Sequence, residues 1–181
     1  MVNQIIFFHG GGSREDYEAD EKLAASLKLK LGSGYTVHYP FLHDNGSPDL
    51  GRREQIKHEI SEGPDNVILV GHSLGASMLL ACLSESQIKK KIRGVFLTAT
   101  PFWNGDDDWV KAFKLLPDFA KRINREIPLF FYHCQDDAQV SFAHLAIYNQ
   151  ELPWAVFREI PVGGHQLGND LSIVANDIKS V

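Results

Sequence analysis

The sequence predicts an α/β fold of three layers, with one six-stranded parallel sheet between helices. Three observations carry that expectation: short unbroken apolar runs, helical patterns between them, and connections too long for hairpins. Ile5 to Phe8, Val67 to Val70, Gly94 to Leu97 and Leu129 to Tyr132 are apolar without alternation, as strands covered on both faces are. Tyr35 to Tyr39, with β-branched Thr36 and Val37, and Trp154 to Ile160 add two weaker strands. The helical patterns are Asp16 to Lys30, with Leu23, Leu27 and Leu31 on one stripe, then Arg53 to Ile60, Leu74 to Ser84, Val140 to Tyr148 and Leu171 to Lys179. Gly32-Ser33-Gly34, Asn45-Gly46-Ser47-Pro48 and Gly63-Pro64 punctuate them as turns.

Neither a repeat nor a linker interrupts the 181 residues, so one domain over 1–181 is expected. Hydrophobic residues make up 44% and charged ones 23%, the balance of a globular chain, which excludes disorder as the dominant state. A formal charge of -5 without a basic stripe argues against nucleic acid as a partner. No apolar run approaches the roughly 20 residues of a membrane span. The start Met1-Val2-Asn3-Gln4 does not read as a secretion signal, so a soluble, cytoplasmic protein is expected. Cys82 and Cys134 read as buried thiols rather than a disulfide framework, and no His-Glu-x-x-His or cysteine pair offers a metal site. No metal and no cofactor are expected.

One connection is longer than a crossover needs. Residues 100–127 carry Pro101, Phe102 and Trp103, then Asp106-Asp107-Asp108, then Trp109, Phe113 and Leu116 at helical spacing. It reads either as a short helical excursion over the sheet edge, a small lid, or as ordinary helices packing aromatic faces on the sheet. On the first reading Phe102, Trp103 and Phe113 form an apolar substrate-binding wall; on the second they fill the core. The acidic run reads as a solvated face.

Chemistry concentrates where the Val67 to Val70 strand meets Gly71-His72-Ser73-Leu74-Gly75 and then a helix-forming run. Gly-x-Ser-x-Gly between strand and helix is a sharp turn, too tight for side chains two positions either side of the serine, and it holds Ser73 out at the sheet edge as a nucleophile. The Leu74 amide, opening the helix, points where an oxyanion would form. His72 occupies the position that points away and reads as packing.

The first strand ends in His9-Gly10-Gly11-Gly12-Ser13, whose contiguous glycines lack the spacing of a dinucleotide fingerprint. They suit an oxyanion loop, with the Gly11 amide as second donor and Gly10 or Gly12 as alternatives. A serine nucleophile needs a base and an orienting carboxylate, both downstream in this order. Of His133 in a strand, His144 in a helix and His165 in the loop Pro161-Val162-Gly163-Gly164-His165, the last is the base. The strand Leu129 to Tyr132 runs into Asp136-Asp137, and Asp137, opening an Asp-x-x-Val-Ser turn, is favoured over Asp136 as the acid.

With Gly71-His72-Ser73-Leu74-Gly75, Asp137 and His165 in that order, the chain resembles the α/β-hydrolase family over essentially its whole length. Its small size, its His9-Gly10-Gly11-Gly12 loop and the Pro40 to Pro48 stretch resemble the compact serine hydrolases of the retinoblastoma-binding-protein and YdeN group. The resemblance implies strand order 2-1-3-4-5-6, a minimal cap, and a triad of Ser73, Asp137 and His165 acting on small to medium esters. Lys57 stands where that group has a tryptophan after an Arg-Glu pair, here Arg53-Glu54. Leu80-Ala81-Cys82-Leu83-Ser84 ends in serine rather than the glutamate of the retinoblastoma-binding motif, so that partner is not expected. A protein-binding module on a hydrolase scaffold is the competing expectation, with Phe102, Trp103 and Trp109 as its surface.

Overall fold

The structure is a computed structural model and describes residues 2–181. Strands β1 (Asn3–Phe8), β2 (Tyr35–His38), β3 (Val67–His72), β4 (Ile92–Thr98), β5 (Leu129–Cys134) and β6 (Val156–Ile160) form one parallel sheet in the order β2-β1-β3-β4-β5-β6. Helices α1 (Arg14–Leu31), α2 (Arg52–Glu62), α3 (Ser73–Glu85), α4 (Asp108–Lys111), α5 (Phe119–Arg122), α6 (Ala143–Glu151) and α7 (Ser172–Ser180) connect and cover it.

The unbroken apolar runs have a direct structural cause, since successive residues of each strand serve opposite layers. Ile5, Phe7, Val70, Phe96 and Phe130 face Leu23, Leu27, Val174 and Ile178 of α1 and α7. Ile6, Phe8, Leu69, Leu97 and Phe131 face Ile56, Leu79, Phe119 and Tyr148 of α2, α3, α5 and α6. Nearly all are fully buried, and each large apolar side chain so covered contributes roughly 1.5–3 kcal/mol before entropy is set against it.

Side-chain capture of backbone amides sets where two of the helices begin. Ser13 caps α1: its hydroxyl accepts the Asp16 amide at 3.2 Å while the Asp16 carboxylate accepts the Ser13 amide at 3.0 Å. Helix α6 begins at Ala143, later than the Val140 that periodicity predicts. Asp137 Oδ1 takes the amides of Gln139 and Val140, each at 2.9 Å, and holds those residues in a turn.

Between β4 and β5 the crossover holds two one-turn helices, α4 and α5. The Trp103 indole N–H donates to Ser77 Oγ of α3 at 3.0 Å, and its ring lies 5.1 Å from that of Phe113, which is buried against the same layer. Trp109 stays 61% exposed. Cys82 and Cys134 are buried and unpaired, and among the described residues no helix is long and apolar enough to cross a membrane.

Strand order reverses between β1 and β3: β1 leads into α1 on one face and β3 into α3 on the other. The two loops therefore part at the carboxyl edge and leave a crevice between them. The approach of α3 to the end of β1 is close. A Cβ on Gly75 would stand 2.3 Å from the His9 carbonyl oxygen, and one on Gly71 2.7 Å from Ala76 Cα. Gly75→Ala is therefore expected to destabilise the fold by about 1–3 kcal/mol. The check is the midpoint of urea unfolding at unchanged slope, and a midpoint equal to wild type would contradict this approach.

Candidate active site

Ser73 opens α3 with φ of 50°, a left-handed conformation that costs a non-glycine residue about 1–3 kcal/mol and persists only where its surroundings enforce it. Its hydroxyl donates to His165 Nε2 at 3.0 Å, and His165 Nδ1–H donates to Asp137 Oδ2 at 2.9 Å. Three sequence-distant residues thus form one hydrogen-bond run. The loop carrying His165 is fixed from below by Asp136, whose Oδ1 accepts the amides of Gly163 and Gly164 at 3.0 and 2.8 Å. The two adjacent carboxylates divide the work: Asp137 meets the ring and Asp136 holds the backbone.

The electrostatics follow from these contacts. Burial opposes ionisation of Asp137, but the Val140 amide, the His165 ring and the Gln139 amide outweigh it and hold the carboxyl below the usual range. Burial pushes His165 below its ordinary value, the charge of His72 adds to that, and Asp137 and Asp20 oppose it. The imidazole is accordingly neutral near neutrality, with Nε2 free to accept the serine proton.

The glycine loop after β1 is held atom by atom. The Gly10 amide donates to Asp20 Oδ2 at 2.7 Å and the Gly12 amide to Asp16 Oδ2 at 3.0 Å. The Gly10 carbonyl accepts His9 Nδ1–H at 2.6 Å, and the Gly11 carbonyl accepts a guanidinium N–H of buried Arg52 at 2.6 Å. His9 Nε2 in turn accepts the Leu42 amide at 3.0 Å, so His9 is a neutral ring with a fixed tautomer. Burial and the Arg52 charge hold its pKa down. Of the three glycine amides only that of Gly11 has no acceptor among the described residues. The Leu74 amide, in the first turn of α3, has no intrahelical acceptor either. A cleft of about 200 Å³ opens here, lined among others by Gly11, Asp16, Ser73, Gln139, His165 and Gln166.

Not every expected residue reaches this cleft. Phe102, Trp103 and Phe113 do not line it. Phe102 packs edge-on against Tyr148 and lines a separate cleft with Leu115 and Phe119, while Trp103 and Phe113 pack on each other over α3, because aromatic rings find larger apolar contact there than at a polar edge. The expected apolar wall is replaced by Asp16, Gln139 and Gln166. His144 accepts the Phe102 amide at 2.9 Å and His133 Nε2–H donates to the Val140 carbonyl at 2.9 Å, so both are tied to the backbone. His72, read from sequence as packing, is buried but hydrogen-bonded through both ring nitrogens, to Asp20 and to the His165 carbonyl.

Asp20, Asp16, Arg52 and Gln166 are the residues that sequence reasoning missed, and Asp136, weighed there only as the alternative acid, instead holds the His165 loop. A signal existed for Asp20. It stands three and four positions before Leu23 and Ala24, on the buried stripe of α1, and a carboxylate on such a stripe requires partners. It finds the Gly10 amide, the Gln166 side chain at 3.0 Å and His72.

Acid lability follows. Asp16, Asp20 and Asp137 are each held below the ordinary carboxylate value of 3.8, despite burial, by donors that favour the anion. The unfolded chain then binds more protons than the folded one. This stabilisation is whole above 3.8 and is lost as pH falls through the lower folded values. His9, His144 and His165, held below 6.5 chiefly by burial, add a loss that begins as pH falls through 6.5. Denaturant midpoints measured from about pH 7 to about pH 3 are expected to fall throughout, and a flat profile would contradict the assignment.

Comparison with known proteins places this architecture. The profile described as the alpha/beta hydrolase family matches residues 5–177. A Mycoplasma genitalium protein named "Putative esterase/lipase 2" is 29% identical over 155 residues, covering 80% of this chain and 54% of the relative, so the chain spans about half that relative's length. Among solved structures, the ydeN gene product of B. subtilis is 18% identical, with 99% of this chain and 98% of that one covered at a TM-score of 0.68. The thioesterase domain from the curacin biosynthetic pathway is 17% identical, with coverage of 99% and 92% and a TM-score of 0.71. At such identities the structures testify to the fold. From a six-stranded parallel sheet with a strained serine turn at its switch point, and from a family match along nearly the whole sequence, the conclusion is that the chain belongs to the alpha/beta hydrolase family.

Proposed function

We propose that the chain is a serine hydrolase of the carboxylic-ester type, with Ser73 as nucleophile, His165 as general base and acid, and Asp137 as the orienting carboxylate. The observation that carries this reading is the hydrogen-bond run from Asp137 through His165 to the Ser73 hydroxyl. The esterase/lipase name of the Mycoplasma genitalium relative points the same way.

As Ser73 Oγ bonds to the ester carbonyl carbon, its proton passes to His165 Nε2, and Asp137 steadies the imidazolium. The carbonyl electrons move onto oxygen, where the amides of Gly11 and Leu74 donate to it; a donor so placed is worth about 3 kcal/mol. The bond to the leaving oxygen breaks, His165 returns the proton to that oxygen, and an alcohol departs. Water then loses a proton to the same ring and attacks the acyl-enzyme, which releases the acid and restores Ser73. The cleft of about 200 Å³ lies below the roughly 300 Å³ at which drug-sized pockets begin, and polar side chains line it. Small esters with short acyl groups fit it best.

A fluorophosphonate probe is expected to label the wild type and not Ser73→Ala, which should also lose several orders of magnitude in turnover. An unlabelled wild type would end the reading. Across p-nitrophenyl esters from acetate to octanoate, kcat/KM is expected to fall with chain length; labelling without turnover of any of them would favour a binding module on a hydrolase scaffold. Because burial, aided by the charge of His72, holds His165 below 6.5, kcat/KM should rise with pH on the acid side of that value and be level by about pH 7.

A further inference from the structure

Both ring nitrogens of His72 face acceptors. Nδ1 lies 2.7 Å from Asp20 Oδ2, and Nε2 lies 2.9 Å from the main-chain carbonyl oxygen of His165. A carbonyl has no proton to give, so Nε2 carries one. At the other end, Asp20 already accepts the Gly10 amide on Oδ2 and the Gln166 amide on Oδ1. Three donors converging on one carboxylate favour its anion, which leaves the proton of the third contact on Nδ1. His72 is then an imidazolium, 1% exposed, with Asp20 as its counter-ion.

We infer that Asp20 and His72 are positioning residues for the reaction: the pair ties the glycine loop after β1 to the backbone of His165, and the His72 cation, its ring 4.9 Å from that of His165, adds to burial in opposing a second proton on the base. This rests on the serine-hydrolase reading. The tie runs through single hydrogen bonds, from the Gly10 amide to Asp20, on to His72, and from His72 to the His165 carbonyl, with Gln166 closing the circuit from the residue beside His165. It couples the loop that presents the Gly11 amide to the loop that presents the base. The charge acts at short range, since the two imidazole rings have centroids 4.9 Å apart. The charged and titratable groups facing His165 are His72 from the end of β3, Asp20 from α1 and Asp137 from the loop after β5. The carboxylates favour a protonated His165, so His72 is the one neighbouring charge that opposes it.

The direct test reads the ring itself. In wild-type protein labelled with nitrogen-15, the imidazole nitrogens of His72 are expected to be both protonated at about pH 7.5, and an unprotonated ring nitrogen would overturn the proposal. The kinetic test uses His72→Gln, which can still present an amide N–H toward the His165 carbonyl but carries no charge. Its fluorophosphonate labelling rate is expected to fall at every pH because the link to Asp20 is cut, and to fall roughly tenfold further at about pH 6 than at about pH 8, because the acid limb moves to higher pH. A ratio to wild type that is the same at every pH, or no change at all, would mean that His72 is only structural and would overturn the charge argument. Should the variant not fold, the ring spectrum of the wild type decides alone. Should the wild type take no label, the hydrolase reading fails by itself, while the ring spectrum still reports on the pair.

Discussion

The close approach of α3 to the end of β1 is the constraint on which the rest depends. Gly75 leaves no room for a Cβ against the carbonyls of Phe8 and His9, and Gly71 none against the backbone of Ala76. Only with both side chains missing can the chain turn from β3 into α3 within one residue, and that residue, Ser73, takes the left-handed conformation. The strain at Ser73 is held by the two apolar layers, since β3 is buried along its whole length and β1 from Ile5 to Phe8. A turn so braced fixes the hydroxyl in space beside the glycine loop after β1, where a Cβ on Gly10 would stand 2.9 Å from Ser73 Cβ.

Carboxylates do most of the remaining positioning, and each does it by gathering backbone or ring N–H groups. Asp16 takes the amides of Gly12 and Ser13, Asp20 that of Gly10, Asp136 those of Gly163 and Gly164, and Asp137 those of Gln139 and Val140. Loops at a sheet edge lack ladder partners, so amides there require acceptors or water. Satisfying the flanking amides with fixed anions has a second effect at the glycine loop. It leaves the Gly11 amide as the donor still available, so selection of one donor out of three comes from occupation of its neighbours rather than from the glycine itself. Arg52 completes the arrangement from behind by holding the Gly11 carbonyl, which fixes the orientation of the peptide that follows.

The frame of the fold was legible in the sequence because burial on both faces writes itself as unbroken apolar runs, as at Val67 to Val70, and because Gly71 and Gly75 report a steric limit that no other residue satisfies. The run Ser73, Asp137 and His165 was legible through chain order and through the loop context of His165. The lining of the cleft was not. Trp103 and Phe113 have the same composition whether they face a pocket or α3, and their contact with each other and with Ser77 depends on the path of the crossover, which no local pattern encodes. Arg52 was invisible for a related reason: its partners are the carbonyls of Gly11 and Leu42, and backbone acceptors have no sequence signature. Asp20 was legible in principle, as a charge on the apolar stripe of α1, and shows that a violation of pattern is a better pointer to a site than conformity with it.

Two His–Asp pairs meet at this edge, and the difference between them lies in what faces the second nitrogen of each ring. His165 donates from Nδ1 to Asp137 and turns Nε2 to a hydroxyl, which has a proton to give, so the ring is neutral with its lone pair aimed at Ser73. His72 donates from Nδ1 to Asp20 and turns Nε2 to a carbonyl, which has none, so the ring must hold both protons. The same two residue types in the same local contact thus give a base in one case and a fixed cation in the other. Placed 4.9 Å apart, the cation raises the free energy of protonating the base without competing for the serine proton, because its own nitrogens have no lone pair to offer. Asp137 opposes that effect, because its carboxylate favours the charged form of the ring, the form that the proposed attack would produce. On the serine-hydrolase reading, burial and the cation together keep the base free at rest, Asp137 stabilises its charged form, and the pH dependence follows from the balance between burial and the two His–Asp pairs rather than from the histidine alone.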